Sequence, residues 1–261
     1  MNSPKKHGKF LLVVEFNKML SQKSLYICTF LFAFIYLISM PYNSSNVIDM
    51  LESVIWGGTF RHLGTICMVL PYGLSYYKEK QSGNLPLILQ RSGKRNYCIA
   101  KTIVCFVSGG FVAMIGLAVY LLFLHLVLGV PLLGYCAYDN SPYLASFLLY
   151  SNQISKYLLL RFITHFLYGG TTAVLGIVCS MLLSNAFVAS ICPYLFLYVL
   201  QILESVRIPS ELKLDCLVDG EIQFVNFGAG MLYIIAFFTV YLLLEYLFLK
   251  KMIGREEGGV S

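Results

Sequence analysis

The sequence predicts an all-α, polytopic membrane protein with six transmembrane helices and an amphipathic interfacial helix at its N-terminal end. Three observations carry this. First, 58% of the 261 residues are hydrophobic and 12% are charged, whereas soluble domains hold about 25% charged residues. The mean hydropathy is +0.73. Second, the apolar residues gather in runs near the ~20 residues that a helix needs to cross a bilayer. None of the runs alternates like a membrane barrel strand, and an open strand would leave its backbone unpaired in lipid. Third, the cations fall on alternate loops. The same composition excludes disordered, collagen-like and small disulfide-framework proteins. Six spans would take about 120 residues, which leaves no separate soluble catalytic domain within a single transmembrane domain over 1–261.

The elements follow in chain order. Lys9 to Lys23 reads KFLLVVEFNKMLSQK. On a helix, Leu12, Val13, Phe16, Met19 and Leu20 would share an apolar face opposite Glu15, Lys18 and Gln22, so residues 9–23 are expected to lie in the membrane interface. No short apolar core there ends in a cleavage site. The first apolar run, 24–40, would serve as targeting signal and first span. Further spans are expected at about 59–76, 98–128, 157–183, 186–203 and 227–249. Ser184 and Asn185 alone separate the fourth and fifth, which implies a tight helical hairpin. Residues 129–156, with Tyr135, Tyr138, Tyr143 and Tyr150, and the acidic segment 204–226 are read as external pieces, either plain loops or partly re-entrant.

Six spans put both termini on one side. That side would hold Lys5, Lys6, Lys9, Lys18, Lys23, Lys78, Lys80, Arg91, Lys94, Arg95, Lys101, Lys250, Lys251 and Arg255, which is 14 of the 19 cations. Positive loops stay cytoplasmic, so both ends and residues 77–97 are expected on the cytoplasmic side of the cell (plasma) membrane. The net charge of +6 is this asymmetry and fits anionic lipid heads. It is not a nucleic-acid signal.

The segment after the second run reads YYKEKQSGNLPLILQRSGKRNYCIAK. Glu79 and Gly83 precede an apolar patch, Leu85, Leu87, Ile88 and Leu89, and Arg91, Lys94 and Arg95 close it. A charge-rimmed apolar patch is a docking surface more often than a spacer. Within the third and fourth runs, FVSGGFVAMIG and FLYGGTTAVLG place Gly109, Ala113 and Gly116, and Gly169, Ala173 and Gly176, at one spacing. Small residues on one helix face allow close packing in lipid. Arg161 and His165, one turn apart near an outer end, are candidates for contact with an anionic group on a substrate, with lipid headgroups as the plainer alternative. Glu245 is expected to pair with a cytoplasmic cation.

The order of Glu79, Gly83, a short apolar helix, an arginine-bearing turn and Lys101 at the next span resembles the type-2 permeases of ABC transporters. The interfacial helix, the six spans and the tight hairpin resemble that family too, so the likeness runs over nearly the whole chain on degenerate motifs. Gly93 departs from it, as does the Tyr-rich external loop. The resemblance implies that residues 77–97 dock on an ATPase and that Glu79, Gly83, Leu85, Leu87, Arg91 and Arg95 couple the two subunits. It also implies a homodimer or a related second permease, with ATP and Mg bound by the partner ATPase.

No GxxxxGK[ST] loop occurs, so the ATPase would be a separate chain. No HExxH, GxSxG or CxxC motif is present, so no catalytic residue, metal site or cofactor is expected in this chain. Of eight cysteines, only Cys136 and Cys216 fall in external segments, and a bond between them is open. The expected function is export of an amphiphilic, peptide or lipid-linked substrate. The rivals are a lipid-acting membrane enzyme and a non-transporting immunity or sensor protein.

Overall fold

The computed structural model describes residues 4–40, 46–56, 60–131, 143–207, 214–220, 223 and 226–258. It is all-α. Among the described residues, four helices are long and apolar enough to cross a membrane, and a fifth is added if a helix pair bent by 56° counts as one span. This architecture is consistent with a multi-pass membrane protein.

The bent pair is α1 (Pro4–Leu20) and α2 (Lys23–Ile38). At 16 residues, α2 rises about 24 Å, short of the ~30 Å hydrocarbon core. The faces of α1 differ from the sequence expectation. Glu15 and Met19 are buried, whereas Val13 and Leu20 are exposed. An ion pair described below pulls Glu15 inward, and this outweighs the apolar side chains that share the helix. Helix α3 (Val47–Trp56) follows, with the Asn46 side chain accepting from the Asp49 amide at 2.8 Å, which caps its first turn.

The second apolar run is a broken helix and not one continuous helix. It consists of a π-helical turn, Phe60–Gly64, then α4 (Thr65–Val69), then a break, then α5 (Ser75–Gln81). Pro71 lies in the break and has no amide to continue the ladder. Gly73 also lies there, where a Cβ would stand 2.7 Å from the Val69 carbonyl. As a result Tyr77, expected to start a loop, sits inside α5. Two further helices follow, α6 (Leu85–Ser92) and the long α7 (Lys94–Leu122), which ends in a π turn, Phe123–Val127. With that turn α7 reaches 34 residues, or about 51 Å, more than any bilayer core requires.

At the far end, α8 (Leu144–Tyr150) leads into α9 (Ile154–Leu182). Asn185 turns the chain into α10 (Ala186–Arg207) by accepting from the Phe187 amide at 2.9 Å. That is the tight hairpin read from sequence. Helix α11 (Leu214–Asp219) and α12 (Phe227–Gly258) complete the chain. Cys136, Tyr135 and Tyr138 fall outside the described residues.

Helix α9 is the axis of the bundle. Its most apolar stretch is 78% buried, against 17% for α10, because α4, α7, α10 and α12 all pack on it. The two small-residue stripes face each other across α7 and α9. A Cβ on Gly169 would stand 2.8 Å from the Cβ of Ala113, and one on Gly110 or Gly170 would meet the ring of Phe166 or Phe106 at 2.7 and 2.6 Å. Those two rings meet edge to face at 5.5 Å. Beyond this crossing, Gly116 lies under Phe32 and Gly176 under Val69. Both stripes are therefore filled from within the chain.

Candidate functional site

Four charges and two phenols meet where α1, the α4–α5 break, α5 and α7 converge. Lys101 sits two turns inside α7 and is fully buried. Its ammonium donates to Glu15 Oε2 at 2.7 Å and to Glu79 Oε1 at 2.6 Å. Lys18, one turn from Glu15 on α1, also reaches Glu79 Oε1 at 2.6 Å. The Tyr97 hydroxyl donates to Glu79 Oε2 at 2.8 Å, and the Tyr72 hydroxyl donates to Glu15. The Lys101 ammonium also stands 5.0 Å from the centre of the Tyr72 ring and 5.6 Å from that of Tyr97, within cation–π reach.

Two carboxylates thus balance two ammoniums, which lets Glu15, Glu79 and Lys101 leave water while Lys18 stays partly exposed at the edge. An isolated buried charge would cost several kcal/mol, and pairing offsets this only when the remaining hydrogen bonds are also made. At Glu79 burial alone would raise the carboxyl pKa. Lys101, and then Lys18, outweigh it and hold the carboxyl below its ordinary value.

The sequence expectation assigned Lys101 to a solvated cytoplasmic set and Glu15 to a polar face. Both are instead interior. A sign was available: Glu15 shares a helical face with Leu12 and Met19, and Lys101 falls a full turn past the last loop residue.

Helix α6 lies beside this network. Gly83 (φ +70°) and Gly93 (φ +75°) bracket it in left-handed backbone, which a side chain would strain. This gives a physical reason for a glycine at 93, the position that departs from the permease pattern. Pro86 sits in the first turn, where a missing amide costs nothing. Leu85 is buried against the core, whereas Leu87 is 54% exposed. Leu85 therefore cannot share an outward patch with Leu87. The outward strip is Pro86, Leu87, Gln90 and Arg91, all exposed, with Arg95 exposed in the first turn of α7. Ile88 and Leu89 are half-buried against the same core as Leu85.

Arg161 and His165 do not open onto a surface. Both are fully buried. Arg161 pairs with Glu52 of α3, donates to the Tyr157 hydroxyl at 3.1 Å and donates to the Val218 carbonyl of α11 at 3.0 Å. It ties the short helices α3 and α11 to α9. His165 Nδ1 lies 2.8 Å from the Arg161 carbonyl, which can only accept, so Nδ1 carries the proton. Nε2, 2.6 Å from the Tyr36 hydroxyl, is then the acceptor in the neutral ring. The expected cation partner of Glu245 is also not found: both its carboxylate oxygens are buried and lack a hydrogen-bond partner among the described residues. No group of three or more His, Cys, Asp or Glu with metal-binding geometry occurs among the described residues.

In comparisons with protein-family models, curated proteins and solved structures, nothing matches this chain.

Proposed function

We propose that this chain is the membrane subunit of an ATP-driven exporter that moves an amphiphilic, peptide or lipid-linked substrate outward with a separate ATPase. In this reading it has six spans, with α1 at the inner interface, residues 59–76 as a broken second span, residues 77–97 on the cytoplasmic side and both termini cytoplasmic. It works as a homodimer or beside a related permease. The observation that supports the reading is α6, a short helix held between glycines. Its apolar side is anchored in the bundle, and its free strip of Pro86, Leu87, Gln90 and Arg91 is left for a partner. The adjoining network gives that helix a rigid route to two others. Asn84 bonds back to the Glu79 carbonyl at 3.1 Å, and Glu79 is held by Lys101 of α7 and Lys18 of α1. A push on α6 is thereby passed to α1 and α7, which is how packed helices shift as units.

The test is co-purification. An ATP-binding cassette ATPase should follow the tagged chain out of its native membrane, with ATP hydrolysis in the eluate. Leu87→Asp with Arg91→Glu should release the ATPase while the chain stays in the membrane at its normal level. Burying one leucine in a partner contributes roughly 1.5–3 kcal/mol, enough for the loss to show. Retention of the ATPase by this double variant, or its absence from the unmodified protein, would end the proposal.

A further inference from the structure

Glu245 lies on the stripe of α12 that also carries Ile234, Phe238 and Leu249, all buried, on the helix that packs against α7 and α9. It is 7% exposed, and neither oxygen of its carboxyl has a hydrogen-bond partner among the described residues. Two other buried carboxylates, Glu15 and Glu79, each hold a lysine at 2.7 Å or less. The titratable groups that face Glu245 are the Cys105 thiol of α7 and the Cys179 thiol of α9, with Cys192 of α10 behind Cys179. Lys101, one turn along α7 from Cys105, is committed to Glu15 and Glu79. On α12 itself, Tyr246 is half-buried and Lys250 is exposed. Thr102 and Ser108, on either side of Cys105 in α7, also carry buried hydroxyls without a hydrogen-bond partner among the described residues.

An ionised carboxylate in such a place finds no cation and no hydrogen-bond donor among the described residues to offset its desolvation. Acidic groups inside membrane helices that escape this cost are those that carry a proton or a cation. Among the described residues no metal-binding geometry surrounds Glu245, and no side-chain cation pairs with it.

We propose that Glu245 is a proton-binding site within the bundle, occupied when α12 is packed on α7 and α9 and emptied when α12 moves away. The step is a plain dissociation. The carboxylic O–H bond breaks, the pair stays on oxygen as carboxylate, and the proton passes to a water molecule entering between the helices. The way out is short, because Lys250 is five residues further along α12, about 7.5 Å of helix rise. This inference needs neither an ATPase nor a substrate and stands apart from the exporter reading.

The experiment uses the full chain in a detergent free of ester carbonyls. Infrared spectra at neutral pH should contain the carbonyl stretch of a protonated carboxylic acid. That band should be lost in Glu245→Gln and kept, at a shifted position, in Glu245→Asp. Glu245→Gln keeps the shape of the neutral acid, so its fold is expected to survive, and a circular-dichroism spectrum confirms the comparison. With rising pH the thermal midpoint of the unmodified protein should fall more steeply than that of Glu245→Gln, because the folded state then holds a proton that the unfolded chain has released. Absence of the band from the unmodified protein, or its persistence in Glu245→Gln, would show an ionised carboxyl and overturn the site. Parallel pH slopes would overturn the link between the proton and the packing of α12.

Discussion

A Cβ on Gly169 would stand 2.6 Å from the carbonyl oxygen of Gly109, so α7 and α9 touch backbone to backbone at this point. Contacts that close are made by dispersion and not by the hydrophobic effect, since lipid tails compete equally for apolar side chains. Gly109→Leu and Gly169→Leu should each lower the stability of the detergent-solubilised protein by about 1–3 kcal/mol or more, the usual cost of overpacking. Leu122→Ala, at a position 56% exposed, should change it little. Thermal unfolding followed by intrinsic fluorescence reads the difference.

Lys101 is the shared partner of two buried acids, so its loss should cost more than that of any exposed lysine. Lys101→Met leaves Glu15 and Glu79 without their buried cation, and breaking such a pair costs roughly 3–5 kcal/mol. Lys18→Met removes a lysine whose side chain is 44% exposed, and should cost about 1 kcal/mol or less. Denaturant titration of the two variants checks the ranking. Restoring stability to Lys101→Met by adding Glu15→Gln and Glu79→Gln would show that unpaired charge, not lost packing, was the cause.

The pH dependence of the same network has a definite sign. The lysines hold the Glu79 carboxyl below its ordinary value. Its contribution is therefore present above the usual carboxylate range, near pH ~4, and is lost as pH falls through the lowered native value. The thermal midpoint of the unmodified protein should exceed that of Glu79→Gln at neutral pH. The gap should close on acidification, and a gap that widened would contradict the assignment.

The orientation proposed for the bundle is open to labelling. In a background without reactive thiols, a cysteine at Asn152, which is exposed beside the start of α9, should react with an impermeant maleimide in intact cells. One at Gln81, exposed at the end of α5, should react only after the membrane is opened. The reverse pattern would invert the protein in the membrane.

The all-α class, the long apolar helices and the hairpin at Asn185 were legible because each depends on local chemistry: apolar length, a capping side chain and the spacing of glycines. The second run was not. Its hydropathy is that of a span, and only Pro71 with Gly73 signals that the helix breaks. Glu15 and Lys101 were misplaced because charge is read as solvated until a partner is known, and these two lie 86 residues apart. Arg161 was misjudged for the same reason. Its partner Glu52 is 109 residues away, and nothing in the intervening sequence connects them. On α6 the sequence pointed to an apolar patch but not to its division, since which leucine faces the core depends on where α1 and α7 lie.

The crossing of α7 and α9 reads the same from either helix. Phe106 covers Gly170 as Phe166 covers Gly110, and Ala173 abuts Gly109 as Ala113 abuts Gly169. A contact of that kind cannot tell its two members apart: with the helices exchanged, the middle of the joint would fit just as well. Identity must come from the flanks. Phe32 of α2 lies on Gly116, whereas the slimmer Val69 of α4 lies on Gly176, and the two seats are not interchangeable. Adhesion thus belongs to the glycines and address to the side chains beyond them. A smaller residue at Phe32 or a larger one at Val69 would erase the difference between the two seats while leaving the glycine contact itself in place.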